Sequence, residues 1–270
     1  MIIQNKEFDT WPVVAHANGP GKESNIWKEV SKTSNFIKSD IPVNPEDADL
    51  TILSWTVPNE DTILQECFRQ MNIQPIMLEI EKPFNWLDKI KRVKDILPYI
   101  ETKYVMCLDS TDIVVGTDEA VGNIWTDLIE NFENTGAKLL YNAEKYSWPE
   151  PETNKGIDKP NRMKEYIKAL KSTEEFETRV YKDLLGSNYC RFNSGAFIGE
   201  TEFTTLFYNR VWNHTELFYE EGQNENIFGG DQGFLRIYQP EFFPELRIDY
   251  NCSIFHCLAG VEDKEVVIHV

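Results

Sequence analysis

From Asp49 onwards, short apolar runs of strand length alternate with stretches whose apolar residues recur every three or four positions. Residues 50–54 (LTILS) form such a run ending in a polar residue, and 60–71 carry Ile63, Leu64, Cys67 and Phe68 at helical spacing after a Pro58-Asn59 start. Residues 73–80 read as a second strand, and 86–100 as an amphipathic helix bearing Leu87, Ile90, Val93, Ile96 and Leu97. Residues 104–108 (YVMCL) read as a buried third strand, with a further apolar run at 113–115. The pattern continues with a strand at 138–142, an aromatic loop at 143–149, a polar loop at 150–161 and a helix at 165–184. A strand at 192–199 (FNSGAFIG) follows, whose two glycines mark a close approach of ligand or backbone. A helix at 204–218, a Gly/Asn-rich loop at 222–231 and a helix beginning over 231–237 complete the series. Such alternation predicts an α/β fold, a single domain with a mainly parallel central sheet flanked by helices, which binds ligands at the carboxyl ends of its strands.

Composition narrows the partners. The chain has 270 residues, 41% hydrophobic and 27% charged, enough for one large α/β domain with a real core. Lys plus Arg number 27 against 45 Asp plus Glu, and the net charge of -18 argues against nucleic acid and anionic membrane surfaces. No apolar run approaches the ~20 residues of a membrane span, and no basic stretch with an apolar core opens the chain. The expectation is a cytoplasmic protein. Cys67, Cys107, Cys190, Cys252 and Cys257 are scattered, without a CxxC pair or metal-ligand spacing, and read as buried thiols. The sequons at Asn213 and Asn251 read as chance occurrences.

Two segments carry chemistry. At the end of the third strand, Asp109-Ser110-Thr111-Asp112 places two carboxylates three apart on a turn, where they can converge on one hard cation. The competing reading is an ordinary surface turn rich in Asp and Ser. Near the start, residues 11–22 (WPVVAHANGPGK) run from a short apolar strand into His16, Asn18, Gly19, Pro20, Gly21 and Lys22. Such a flexible turn can hold a diphosphate through its amides and Lys22 while His16 reaches a cation. The alternative is a structural loop with a satisfied histidine, and the order of residues is not that of a P-loop.

Together these segments resemble the glycosyltransferase domain of the lysyl hydroxylases and related collagen glycosyltransferases, a GT-A-type fold that uses UDP-sugars with Mn2+. The carrying pieces are TILSWT at 51–56, KIKRVKDIL from Lys89, LDSTDIVV around Asp109, YNAEKYSWP around Trp148, FNSGAFIG around Asn193, Asp231-Gln232 and FDTWPVVAHANGPGK at 8–22. Each alone is weak; together they are specific. Their order departs from the family, in which the His-x-Asn-Gly-Pro-x-Lys segment closes the domain. The resemblance therefore implies a circular permutation in which 1–48 match the family's C-terminal metal and diphosphate segment and 49–270 its core. Permutation requires that the two ends of the domain lie close together. The alternative is an oligomer in which the N-terminal arm completes a neighbour's site.

Residue by residue, the resemblance implies Asp109, Asp112 and His16 as metal ligands. It places Ser54, Trp55 and Thr56 at the uracil and ribose, with Ser110 and Thr111 beside the ribose. Asn18, Gly19, Pro20, Gly21 and Lys22 match the diphosphate turn, and Lys89 a lysine reaching towards the nucleotide sugar. Two carboxylates and an imidazole suit Mn2+, with Mg2+ as the alternative. Trp148 matches a gating aromatic, Asp231 a base or a group holding the donor sugar's hydroxyls, and Asn193 and Ser194 a support for sugar or loop. Gly230 stands where the family has a functional carboxylate. The expected activity is transfer of a hexose, galactose or glucose, from a UDP-sugar to a hydroxyl of a peptide or glycan. A nucleotide-sugar or glycan-binding protein with decayed transfer activity is the alternative, and a nucleotidyltransferase ranks last.

Overall fold

A computed structural model of the chain describes residues 2–32, 45–56, 61–79, 85–116, 124–149, 161–220 and 229–269. In chain order the strands and helices are β1 (Ile2–Asn5), β2 (Val14–His16), α1 (Asn25–Val30), β3 (Leu50–Thr56), α2 (Ile63–Gln70), β4 (Ile76–Glu79), α3 (Trp86–Ile96), β5 (Tyr104–Leu108) and β6 (Ile113–Val115). There follow α4 (Ile124–Asn134), β7 (Leu139–Glu144), α5 (Asn161–Glu177), β8 (Arg191–Glu200), α6 (Thr201–Glu220), α7 (Gly230–Arg236), α8 (Gln239–Phe242), β9 (Leu246–Ile248), β10 (Phe255–Cys257) and β11 (Val266–His269).

Among the described residues the main sheet has six strands in the order β4-β3-β5-β8-β7-β9. β3 is parallel to β4 and β5, and β7 is parallel to β9, while β8 runs against both β5 and β7. The α/β architecture with a mainly parallel sheet flanked by helices is therefore the one expected. Successive residues of a strand point to opposite faces, and both faces here are covered. Val105 and Cys107 of β5 enter the same core as Leu87, Ile90 and Val93 of α3. Tyr104, Met106 and Leu108 enter the opposite core with Leu64 and Phe68 of α2 and Trp125, Leu128 and Phe132 of α4. Side chains at the helix starts set where these helices begin. Thr62 and Gln65 form a capping box on α2, and the Asn85 side chain accepts from the Leu87 N–H at the start of α3.

Some boundaries differ from the periodicity. The helix expected over 86–100 stops at Ile96 and tightens into a 3₁₀ turn, Leu97–Tyr99, because Pro98 lacks the N–H that an α-helix needs. The helix expected to run evenly to 184 widens into a π-helical segment, Thr178–Leu184. The strand expected to end at 142 continues through Glu144, so Ala143 and Glu144 are sheet and not loop. The turn expected to be flexible after His16 is a 3₁₀ helix, Gly19–Glu23. The Pro58-Asn59 start, residues 150–160 of the polar loop and 222–228 of the Gly/Asn-rich loop lie outside the described residues. All five cysteines are buried thiols, as expected.

Strands at the two ends of the chain pair with each other. β1 is antiparallel to β11, with Ile2 opposite His269, and β2 lies between β10 and β6. The expected proximity of the ends is thus met, within one subunit. Buried His256 of β10 secures the junction: its Nε2 lies 3.2 Å from the Asn5 amide nitrogen and 2.9 Å from the Tyr189 hydroxyl. Burial, with the Lys145 charge adding to it, pushes the imidazole from 6.5 down to about 3. The unfolded chain takes up a proton at His256 below pH 6.5 that the folded chain refuses until about pH 3, so this group makes stability fall as pH drops through that window. Urea midpoints between pH 7 and pH 4 are expected to fall more steeply for the wild type than for His256→Gln; equal slopes would contradict the assignment. No helix among the described residues is long and apolar enough to cross a membrane.

Candidate functional site

β5 ends at Leu108 and β6 begins at Ile113, so Asp109 and Asp112 sit on the turn between them. Main-chain bonds hold that turn at both ends. The Asp109 N–H donates to the Gly195 carbonyl of β8 at 2.8 Å, and the Ala17 N–H donates to the Asp112 carbonyl at 2.8 Å. β2 pairs antiparallel with β6 so that His16 stands opposite Ile113, one residue from Asp112. On its other side the Leu258 N–H donates to the His16 carbonyl at 2.7 Å. Three ligand atoms, one each from His16, Asp109 and Asp112, consequently lie within 4.8 Å of one another.

The electrostatics of this cluster are balanced by two lysines. Lys22 Nζ lies 3.0 Å from Asp112 Oδ2, and Lys89 Nζ lies 2.5 Å from Asp109 Oδ1. Burial opposes ionisation of Asp112, but the imidazole of His16 and the ammonium of Lys22 beside it outweigh burial and hold its carboxyl far below the usual carboxylate range. Burial likewise opposes the charged form of His16, and the Asp112 carboxylate, helped by Asp109 and Glu144, raises its pKa nonetheless. Asn142 Nδ2 lies 3.1 Å from His16 Nδ1, which leaves Nε2 facing Asp112 Oδ1 at 3.5 Å. That Oδ1 is buried and has no hydrogen-bond partner among the described residues. An orphaned carboxylate oxygen beside an imidazole and a second carboxylate makes a group that could hold a metal ion.

Close packing holds the imidazole in place. A Cβ on Gly195 would lie 2.3 Å from His16 Cε1, so only glycine fits at this point of β8. Gly195→Ala is expected to displace the ring and weaken divalent-cation binding at least about tenfold. Titration of paramagnetic Mn2+ would measure this, and unchanged affinity would show that His16 is not a ligand. The strand's other glycine, Gly199, packs against the Thr204 hydroxyl, a structural role.

A second polar layer lies beside the first. Glu144, at the end of β7, accepts from Asn18 Nδ2 at 2.6 Å and from Gln232 Nε2 at 2.8 Å. Gln232 Oε1 accepts from the Ser194 N–H at 3.1 Å, and Asn193 Oδ1 accepts from Asn142 Nδ2 at 3.2 Å. Asp231, in the first turn of α7, is buried; burial pushes its carboxyl up, with Asp109 adding and Lys89 opposing. A carboxyl poised in this way beside a charged cluster suits proton transfer.

The remaining sequence-derived residues divide into two groups. Gly19, Pro20, Lys22 and Thr111 are exposed around the cluster, and Thr56 ends β3 half-buried. Ser54, Trp55, Ser110 and Gly21 are buried. The Ser54 hydroxyl donates to the Leu108 carbonyl at 3.1 Å, Lys89 Nζ lies 5.5 Å from the Trp55 ring, and Gly21 packs on the Ala259 main chain. The side chains of Ser54 and Trp55 are therefore committed inward, and β3 presents Thr56 outward. Trp148 is half-exposed, and its carbonyl accepts from Gln232 Nε2 at 2.8 Å and from Arg236 Nη1 at 3.2 Å. Asn142, Glu144 and Gln232 lie in segments that carry the resemblance but, like Arg236, are assigned no site role from the sequence. For Glu144 the available signal was a carboxylate closing the apolar run LLYNA.

No protein-family model matches the chain, and no curated protein matches it significantly. Among solved structures it is similar to mouse xyloside xylosyltransferase 1 in its apo form, at 13% identity and a TM-score of 0.37, over 90% of this chain and 82% of that one.

Proposed function

We propose that the chain is a metal-dependent glycosyltransferase that moves a hexose, galactose or glucose, from a UDP-sugar to a hydroxyl acceptor. The observation that carries this reading is the convergence of His16, Asp109 and Asp112 with Lys22 and Lys89 at the carboxyl ends of β2 and β5. A bound Mn2+ would supply Lewis-acid stabilisation of the diphosphate leaving group. The chain's own residues do the rest. His16, Asp109 and Asp112 would hold the cation, and Lys22, which lies beside Asp112, would face the negative charge that builds on UDP as the C1–O bond breaks. The exposed turn offers the Gly19 main-chain N–H to the same diphosphate, while Pro20, which has no N–H, shapes the turn. Thr56 and Thr111 line the nucleoside side, and Lys89 holds Asp109. Asp231, with its raised pKa, takes the acceptor hydroxyl's proton or holds a sugar hydroxyl, and Asn193 and Ser194 brace that wall.

The resemblance to the lysyl hydroxylase glycosyltransferase domain, with its segments permuted, supports the reading, and the pairing of β1 with β11 is what a permuted chain requires. Within the subunit His16 reaches Asp112 directly, which disfavours the neighbour-completed alternative. The second reading, a nucleotide-sugar-binding protein without transfer, rests on Gly230. It has φ 52°, and a Cβ there would lie 3.0 Å from Trp86, so a side chain at this position is strained. Release of UDP from a panel of UDP-sugars with Mn2+, with EDTA as control, separates the two. Metal-dependent release from one sugar supports transfer chemistry. Tight metal-dependent UDP binding without release, across acceptors, supports the binding protein, and no UDP binding overturns both.

A further inference from the structure

We infer that Trp86 forms one wall of a pyranose-binding subsite, so that the hydroxyl acceptor is a glycan and not a bare peptide side chain; this deepens, and rests on, the glycosyltransferase reading. Trp86 is the first residue of α3, and the residue is 51% exposed although tryptophan ordinarily hides most of its surface. The ring does not stand apart from the site. Lys89, less than one helical turn further on, places Nζ 5.6 Å from the Trp86 ring while pairing with Asp109.

Gly229 and Gly230 locate the ring relative to the rest of the mouth. A Cβ on Gly229 would lie 2.2 Å from Pro149 Cγ, and one on Gly230 would lie 3.0 Å from Trp86 Cβ and Cγ. The main chain entering α7 therefore passes between Pro149 and Trp86, with φ 82° and 52° at these two glycines. Trp148, bonded to Pro149, is 55% exposed, and Asp231 follows Gly230 directly. Two half-exposed indoles thus flank the turn that delivers a buried carboxylate.

This combination matches the chemistry of a pyranose. One face of such a ring presents C–H groups that pack on a flat, electron-rich indole, and its rim presents hydroxyls that bond to carboxylates and ammonium groups. Gly230 also gains a role: it does not merely lack a carboxylate but leaves the space that Trp86 occupies.

The test is direct binding of methyl β-galactopyranoside and methyl β-glucopyranoside to the intact chain, followed by saturation-transfer NMR. Trp86→Ala is expected to weaken binding of the preferred glycoside at least about tenfold, and Trp86→Phe, which keeps a flat ring, to recover most of it. Thermal melts of each variant serve as the fold control, since a half-exposed side chain contributes little to the core. Equal affinity in wild type and Trp86→Ala, or no glycoside binding by the wild type, would overturn the inference. A parallel UDP titration with Mn2+ reports on the donor reading separately. A flat UDP titration beside glycoside binding that depends on Trp86 would sink the transferase and keep the sugar subsite, whereas UDP binding without glycoside binding would do the reverse.

Discussion

Asp112→Asn is expected to abolish metal-dependent UDP binding, with a loss of affinity on the order of 100-fold or about 2.7 kcal/mol, while the fold persists. The substitution keeps the size of the side chain and its place between β5 and β6 but removes the charge. In the wild type that charge has three duties. It faces His16 Nε2 at 3.5 Å, pairs with Lys22 at 3.0 Å and keeps one oxygen without a hydrogen-bond partner among the described residues. A neutral amide offers a cation a weaker donor and leaves Lys22 uncompensated beside it. Titration calorimetry of UDP in Mn2+ and in EDTA measures the effect, and an unchanged metal-dependent affinity would remove Asp112 from the ligand set. A second readout is independent of nucleotide. The Asp112 carboxylate is the main influence raising the His16 pKa against burial, so in the metal-free variant the imidazole should titrate at lower pH by NMR.

Arg236→Leu is expected to cost about 3–5 kcal/mol of stability, which for a domain of this size lowers the melting temperature on the order of 10 °C. Arg236 and Glu177 have fully buried side chains and meet in a two-point contact, Nε to Oε1 at 3.0 Å and Nη2 to Oε2 at 2.6 Å. Removing the guanidinium leaves a buried carboxylate without its principal partner, and the Arg191 guanidinium at 3.5 Å from Glu177 Oε2 compensates only in part. The loss reaches further than the pair. The same guanidinium donates to the Trp148 and Pro149 carbonyls and to the Ser147 hydroxyl, so it ties α7 to the segment that carries Trp148. Replacing both charged partners, as Arg236→Met with Glu177→Leu, should recover part of the stability but not the hold on Trp148. Differential scanning calorimetry of the two single variants and the double variant would reveal this. A melting temperature within 2 °C of wild type for Arg236→Leu would show, at roughly 2–4 °C per kcal/mol, that the pair is nearly neutral.

Much of this architecture is legible in local sequence because it depends on local physics. Alternation of side chains along a strand and burial of both faces of a mainly parallel sheet make YVMCL and FNSGAFIG recognisable without knowing their neighbours. Thr62 with Gln65, Asn85 and Pro98 mark where helices begin or tighten, since each acts on main-chain groups within one turn of itself. Asp109 and Asp112 are visible for the same reason: a strand end followed by two carboxylates on one short turn is a feature within a few residues.

What the chain's local pattern did not determine is who pairs with whom. β8 carries the same apolar signature whichever way it runs, and only the assembled sheet sets it against β5 and β7. That choice brings Gly195 under the His16 ring and Asn193 beside Asn142. β2 likewise reads as any short apolar run, and its place between β10 and β6 alone puts His16 against Asp112. Glu144, Gln232 and Arg236 became part of the site through contacts between segments far apart in the chain, where their bonds offset the cost of burying polar groups. Periodicity and capping act over a few residues and so are written in the sequence, whereas strand partnership and buried polar networks depend on packing across the whole domain.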